Sequence, residues 1–207
     1  MNKIEKLFVI AMDDEAKDII KEFNLIQETP FKLYKNNNNL LAISKVGKVN
    51  ASATLSYLLA KYEVELVINL GFVGASDNFK VGDVVSVKKA LYHDFDVTIF
   101  GYEKGQVPGL PPTYFSYDKI IDKFDYKEAT LYTGDYFMTN KMDGSYLVDM
   151  EGAAFFQVAY INSVKMISIK VVSDIIASKN HINDYNDFEK MGSKLIYDVY
   201  SKVDNLI

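Results

Sequence analysis

The stretch Leu66-Val67-Ile68-Asn69-Leu70-Gly71 decides how this chain folds. It is an almost unbroken apolar run ended by glycine, the pattern of a parallel-sheet strand covered on both faces. Upstream, Leu7–Ala11 reads as a second buried strand, and Asp14–Phe23 as the helix after it. Phe31–Lys35 and Leu40–Val46 flank the run Asn36–Asn39, which suits a hairpin turn. Asn50–Tyr62 has helical spacing, with Leu55, Leu58 and Leu59 on one side. Downstream, Val81–Val87 reads as a strand and Val97–Phe100 as a short one. Residues 101–116 hold Gly101, Gly105, Pro108, Gly109, Pro111 and Pro112, and read as an irregular loop. Thr130–Thr133 and Tyr146–Val148 are short strands, Gly152–Ile161 a helix, Met166–Val172 a strand and Phe188–Val203 a closing helix. Neither a repeat nor a linker interrupts this order. The expectation is one α/β domain over residues 1–207: a largely parallel, mixed central sheet flanked by helices on both faces.

Composition narrows the chemistry. Apolar residues make up 49% and charged residues 25%, an ordinary globular balance. With no cysteine, disulfide scaffolds, thiolate metal sites and cysteine nucleophiles are excluded. His93 and His181 are the only imidazoles, too few for a histidine-rich metal site. The net charge of −5 argues against nucleic acid as a partner. All 23 basic residues are lysine, so the planar arginine fork that usually grips phosphate is missing. The run Leu7–Met12 is too short for a signal peptide core, and no stretch is long enough to span a bilayer, which makes a cytoplasmic place the expectation.

Ligands of parallel α/β sheets bind beyond the carboxyl ends of the strands. Glu15, Glu151 and Asp174 each follow a strand, and Phe72 stands at the same level after the 66–70 run. One acid at a helix start is ordinarily a partner of the helix dipole. Three converging on one sheet edge point to an enzyme site built on carboxylates. Other motifs fail: Val46-Gly47-Lys48 lacks the upstream glycine and the following Ser/Thr of a P-loop, and neither G-x-G-x-x-G nor G-x-S-x-G occurs. Tyr92-His93-Asp94 reads as a polar loop steadying its own turn in preference to a metal pair.

Several segments resemble the bacterial methylthioadenosine/S-adenosylhomocysteine nucleosidases. They are Ile10-Ala11-Met12-Asp13-Asp14-Glu15, Val46-Gly47-Lys48-Val49-Asn50-Ala51, Val81-Gly82-Asp83-Val84-Val85 and Tyr92-His93-Asp94-Phe95-Asp96-Val97-Thr98. Phe100-Gly101-Tyr102, Gly105-Gln106-Val107-Pro108-Gly109, Thr133-Gly134-Asp135, Asp149-Met150-Glu151-Gly152-Ala153 and Val172-Ser173-Asp174 follow in family order. The resemblance runs from about residue 7 to residue 188 and is weak over 23–40 and 116–129. It implies a nucleoside phosphorylase-like fold, a small-molecule nucleoside substrate, no cofactor and a homodimer. It also implies that Asp174 protonates the adenine leaving group, supported by Ser173, from a site that raises its pKa. Glu15 then positions and deprotonates water, and Glu151 grips the ribose hydroxyls. Met12, Val46, Met150 and Tyr185 match sugar- and thioalkyl-pocket positions, and Phe137 and Met138 match the base pocket. Val97 and Pro108, with Phe100 and Tyr102 in the same segment, match residues that a partner subunit supplies.

The chain departs from that pattern at three places. Phe72 stands where the family has a small Ser or Thr, Lys170 replaces an Arg near the nucleophilic water, and the segment 140–146 is shorter. A purine nucleoside phosphorylase, a nucleosidase of another purine nucleoside such as aminodeoxyfutalosine, and a nucleoside-binding homologue without turnover are the alternatives.

Overall fold

A computed structural model describes residues 2–178, 185, 187–188 and 191–207. In chain order it holds β1 (Asn2–Ile10), α1 (Asp13–Ala16), β2 (Asn24–Gln27), β3 (Lys32–Asn36), β4 (Asn39–Ile43), α2 (Lys48–Lys61), β5 (Tyr62–Ala75) and β6 (Val84–Tyr92). There follow β7 (Tyr114–Phe115), α3 (Asp118–Ile121), β8 (Lys127–Thr133), β9 (Tyr146–Asp149), α4 (Gly152–Ile161), β10 (Lys165–Ile175) and α5 (Ser193–Leu206). The sheet is mixed, with helices on both faces, as the alternation of elements predicts. Parallel neighbours form its centre: β4 beside β1, β1 beside β5, and β5 beside β10.

The sheet also closes on itself. From β10 the order runs through β6, β8 and β9 to β5, and β5 pairs back with β10. Two antiparallel joints, β10 with β6 and β5 with β9, make that closure. Strand β5 is the hinge of the arrangement. Its first half lies between β1 and β10, and at its end Gly74 and Ala75 meet Val148 and Leu147 of β9.

Side chains alternate between two apolar layers, as strand geometry requires. Leu7 and Val9 join Leu55 and Leu58 of α2 and Phe155 and Phe156 of α4. Phe8 and Ile10 join Ile196, Val199, Tyr200 and Val203 of α5, which recur at helical spacing.

Several sequence expectations need correction in detail. The helix over 14–23 is the single turn α1 followed by a 3-10 turn at Ile19–Glu22, because Phe23 is extended and residues 24–27 pair with the edge of β3. Residues 98–100 form a 3-10 turn in place of a strand. There the Asp96 carboxylate accepts both the Thr98 N–H (3.0 Å) and its hydroxyl (2.7 Å), a local bond that competes with sheet pairing. Strand β6 starts at Val84, after a turn in which Gly82 has φ +88°. The closing helix begins at Ser193, with residues 189 and 190, like His181, outside the described residues.

Candidate active site

Each of the three acids is set by a local irregularity at a strand end. Glu15 lies in the first turn of α1. Its Oε2 accepts the Met12 N–H (3.0 Å) and its Oε1 the Phe72 N–H (2.7 Å), so both oxygens are fixed. On β5, a Cβ added to Gly71 would lie 3.0 Å from Glu15 Oε1 and 3.4 Å from Lys170 Nζ, so glycine is what lets this carboxylate approach the sheet. Burial raises the Glu15 pKa above the ordinary carboxylate value. The Phe72 N–H, the Lys170 charge and the Met12 N–H pull it back down.

Asp174 owes its place to a bulge. The β5–β10 register passes from Val172 opposite Val73 to Asp174 opposite Gly74, leaving Ser173 as the extra residue. The Ser173 hydroxyl donates to Asp174 Oδ1 at 2.6 Å and also lies 3.1 Å from the Val73 carbonyl. Gly74 again makes room, since a Cβ there would sit 3.0 Å from Asp174 Oδ2.

Glu151 stands immediately before α4, but its side chain does not cap the helix. Asp149 does: it accepts the Gly152 N–H at 3.0 and 3.1 Å and the Thr133 hydroxyl at 2.6 Å. Thr133 Oγ1 in turn accepts the Ala153 N–H at 2.9 Å. Relieved of capping, the Glu151 side chain reaches across to accept the Gly47 N–H at the start of α2 (2.7 Å). Burial, reinforced by the negative charge of Asp149, pushes Glu151 up to about 8.

The three acids wall one cleft with about 600 Å³ of atom-free space, counting its open mouth. Met12, Val46, Phe72, Phe137, Met138, Met150, Ser173 and Tyr185 line it too, so the structure gathers nearly every anticipated pocket residue. The Tyr185 ring meets Phe137 edge-on at 5.6 Å, and its hydroxyl lies 3.9 Å from the Met12 sulfur. The Phe72 ring borders the cleft and belongs to the α5-side core, edge-on to Phe188 at 5.2 Å. Lys170 is not part of the wall. Buried beside Glu15, it pairs with Asp149 at 3.0 Å. Val97, Phe100, Tyr102 and Pro108 lie away from this cleft, on the loop after β6 where Phe100 is 76% exposed.

Sequence reasoning passed over two groups. Asp149 was legible only as part of a motif, because a capping residue normally stands immediately before its helix and Asp149 lies three residues before Gly152. The second group is an ion cluster at the start of α2. Lys48 Nζ binds both oxygens of Asp94 (2.7 and 2.6 Å), while Asp94 Oδ2 accepts the Asp135 N–H (2.8 Å) and Asp135 Oδ1 the Lys48 N–H (2.9 Å). The Tyr92–Asp94 segment was read as steadying its own turn, whereas Asp94 ties distant elements together, the start of α2 and the turn after β8. His93 is buried edge-on to Tyr136 at 4.8 Å. Among the described residues no cluster of three or more His, Asp or Glu could hold a metal ion.

A family model for the phosphorylase superfamily matches residues 6–203. A 5'-methylthioadenosine/S-adenosylhomocysteine nucleosidase from Bacillus pumilus is 31% identical over 84% of this chain and 84% of its own. The chain belongs to the phosphorylase superfamily, among its nucleosidases. Two solved structures place the superfamily fold beside ligands. A Neisseria meningitidis nucleosidase of this name, in complex with methylthio-immucillin-A, is 25% identical with a TM-score of 0.89, covering 99% of this chain and 100% of that one. A Borrelia burgdorferi chain bound to adenine is 27% identical with a TM-score of 0.86, covering 98% and 100%.

Proposed function

We propose that this protein hydrolyses the N-glycosidic bond of 5'-methylthioadenosine or S-adenosylhomocysteine and releases adenine. The observation that carries this reading is the meeting of Glu15, Glu151 and Asp174 around one cleft whose remaining wall is aromatic and thioether. As the C1′–N9 bond breaks, its electron pair leaves with adenine and Asp174 gives a proton to N7. Water adds to C1′ of the cationic ribose and loses its proton to Glu15. A buried carboxylate with a raised pKa suits that role near neutral pH. Glu151, at the sugar, presents a carboxyl group to the ribose hydroxyls.

Water is favoured over phosphate as nucleophile by the charge already present. The one buried ammonium beside Glu15 is engaged by Asp149 and no lysine is among the described residues that line the cleft, so a phosphate dianion there would meet carboxylates. The relatives' names and bound nucleoside analogues support the same substrate class. Alongside this we read the chain as one catalytic domain that works as a homodimer. Exposed Ile99 and Phe100, on the loop of Val97, Tyr102 and Pro108, support a partner-facing surface there. We place the enzyme in the cytoplasm, where by-products of S-adenosylmethionine use arise. Among the described residues no helix is long and apolar enough to cross a membrane.

The test is adenine release from methylthioadenosine in phosphate-free buffer, with Asp174→Asn beside the parent. The parent turns over without phosphate, and the variant loses about 10²- to 10⁴-fold in kcat while still binding the nucleoside. An absolute need for phosphate would make the enzyme a phosphorylase. Equal rates in parent and variant would remove Asp174 from the chemistry.

A further inference from the structure

Three buried carboxylates, Glu15, Asp149 and Glu151, share a single buried ammonium, Lys170. The proposed reaction gives Glu15 and Glu151 a task and leaves Asp149 without one. Yet Asp149 holds the most elaborate set of partners in the site. It takes the Thr133 hydroxyl, the Gly152 N–H and, at 3.0 Å, the Lys170 ammonium. Lys170 comes from β10 and would lie 3.4 Å from a Cβ at Gly71, where Glu15 Oε1 would lie at 3.0 Å, so the ammonium faces Glu15 as well.

We infer that Asp149 is a positioning residue that holds Lys170 back from Glu15 and so divides one positive charge among the site's carboxylates. The inference rests on the hydrolytic reading for its catalytic meaning. Its electrostatic content stands without it. A full ion pair between Lys170 and Glu15 would fix Glu15 as a weak base. Without any cation, Glu15 would keep its proton in so buried a place. Sharing Lys170 with Asp149 leaves Glu15 between these extremes, where a general base is most useful. Glu15 faces Lys170 from β10 and Asp149 from β9. Glu151 faces Asp149, Lys170 and Glu15. Tyr92 and His93, from the end of β6 and the loop after it, also face Asp149.

The experiment follows the carboxyl carbons of Glu15 and Glu151 by 13C NMR titration of glutamate-labelled protein, assigned with Glu15→Gln and Glu151→Gln. The same variants are assayed for the pH profile of kcat/KM. Asp149→Asn releases Lys170 toward Glu15, so the Glu15 titration and the acid limb of the profile move down by about 1 to 3 pH units. Lys170→Met moves both up by a similar amount. The double variant, which buries no unpaired charge, returns Glu15 toward the parental value and covers the case in which Lys170→Met does not fold. A change of packing alone would not produce shifts of opposite sign. Shifts in one direction only, or an Asp149→Asn titration that matches the parent, overturn the proposal. If the titrations move as stated but the parent releases no adenine, the charge-sharing role stands and the hydrolytic reading falls.

Discussion

Replacing Glu151 by glutamine should stabilise this protein while disabling it, and the size of the gain should depend on pH. Buried beside Asp149, Glu151 is pushed up to about 8 in the folded chain, against an ordinary value of 4.5. Between those two values the unfolded chain has given up a proton that the folded chain keeps. Stability is therefore fully supported below the lower value and falls as pH rises toward the upper one. Relative to a neutral group of the same shape, the carboxyl weakens the fold by about 1 kcal/mol at pH 5 and about 4 kcal/mol at pH 8. Glutamine can still accept the Gly47 N–H that Glu151 Oε1 accepts at 2.7 Å, so the hydrogen bond is not lost with the charge. Urea unfolding of parent and Glu151→Gln at pH 5, 6, 7 and 8 reads the difference directly. At pH 8 the variant should also melt roughly 10 °C higher, by the usual scaling for a chain of this size. Its KM for the nucleoside should rise, because the ribose hydroxyls lose an ionisable partner. A parent–variant difference that stays constant from pH 5 to pH 8, or grows toward acid, would refute the assignment of a buried, proton-holding carboxyl at this position.

Two further changes probe the packing around the cleft. Phe72→Ala removes a ring that is 6% exposed and edge-on to Phe188, so unfolding free energy should fall by about 3–5 kcal/mol. A loss below about 1 kcal/mol by urea titration would mean that the ring is not part of the α5-side core. Gly134→Ala places a Cβ 2.3 Å from His93 Cε1 and 2.5 Å from Nε2, which should cost about 1–3 kcal/mol and loosen the segment leading to Phe137 and Met138. Combining it with His93→Ala should restore part of that stability; additive losses in the double-mutant cycle would show that the two positions do not touch.

The strands that carry the fold were legible because both of their faces are buried. Leu66–Leu70 is apolar but for Asn69 and Met166–Val172 but for Ser168 and Lys170, and in the structure they are neighbours, Met166 opposite Val67 and Ile169 opposite Leu70. The hairpin at residues 36–39 was legible from its asparagines, and Asn37 takes the positive φ (50°) that such a turn needs. Elements whose fate depends on distant partners were not. The helix expected over 14–23 has suitable periodicity, but the open edge of β3 claims residues 24–27 and pulls the chain out of the helix. Sheet closure was equally invisible, since it rests on antiparallel joints of two and three residue pairs between strands far apart in sequence.

The same distinction explains why the three acids could be picked out and their fourth companion could not. Glu15, Glu151 and Asp174 stand where strands end, and strand ends are a property of local pattern. What aims each of them is not local. Glu15 is held by a backbone N–H from β5, Asp174 by a bulge defined only through its pairing with β5, and Glu151 by an N–H from the start of α2. Asp149 decides the last case. Because it takes the capping bonds at the start of α4, the adjacent acid is left to serve the cleft. Two carboxylates spaced by one methionine thus divide structure from chemistry, and the choice between them is made by Thr133, Lys170 and Gly47, each contributed by a different element.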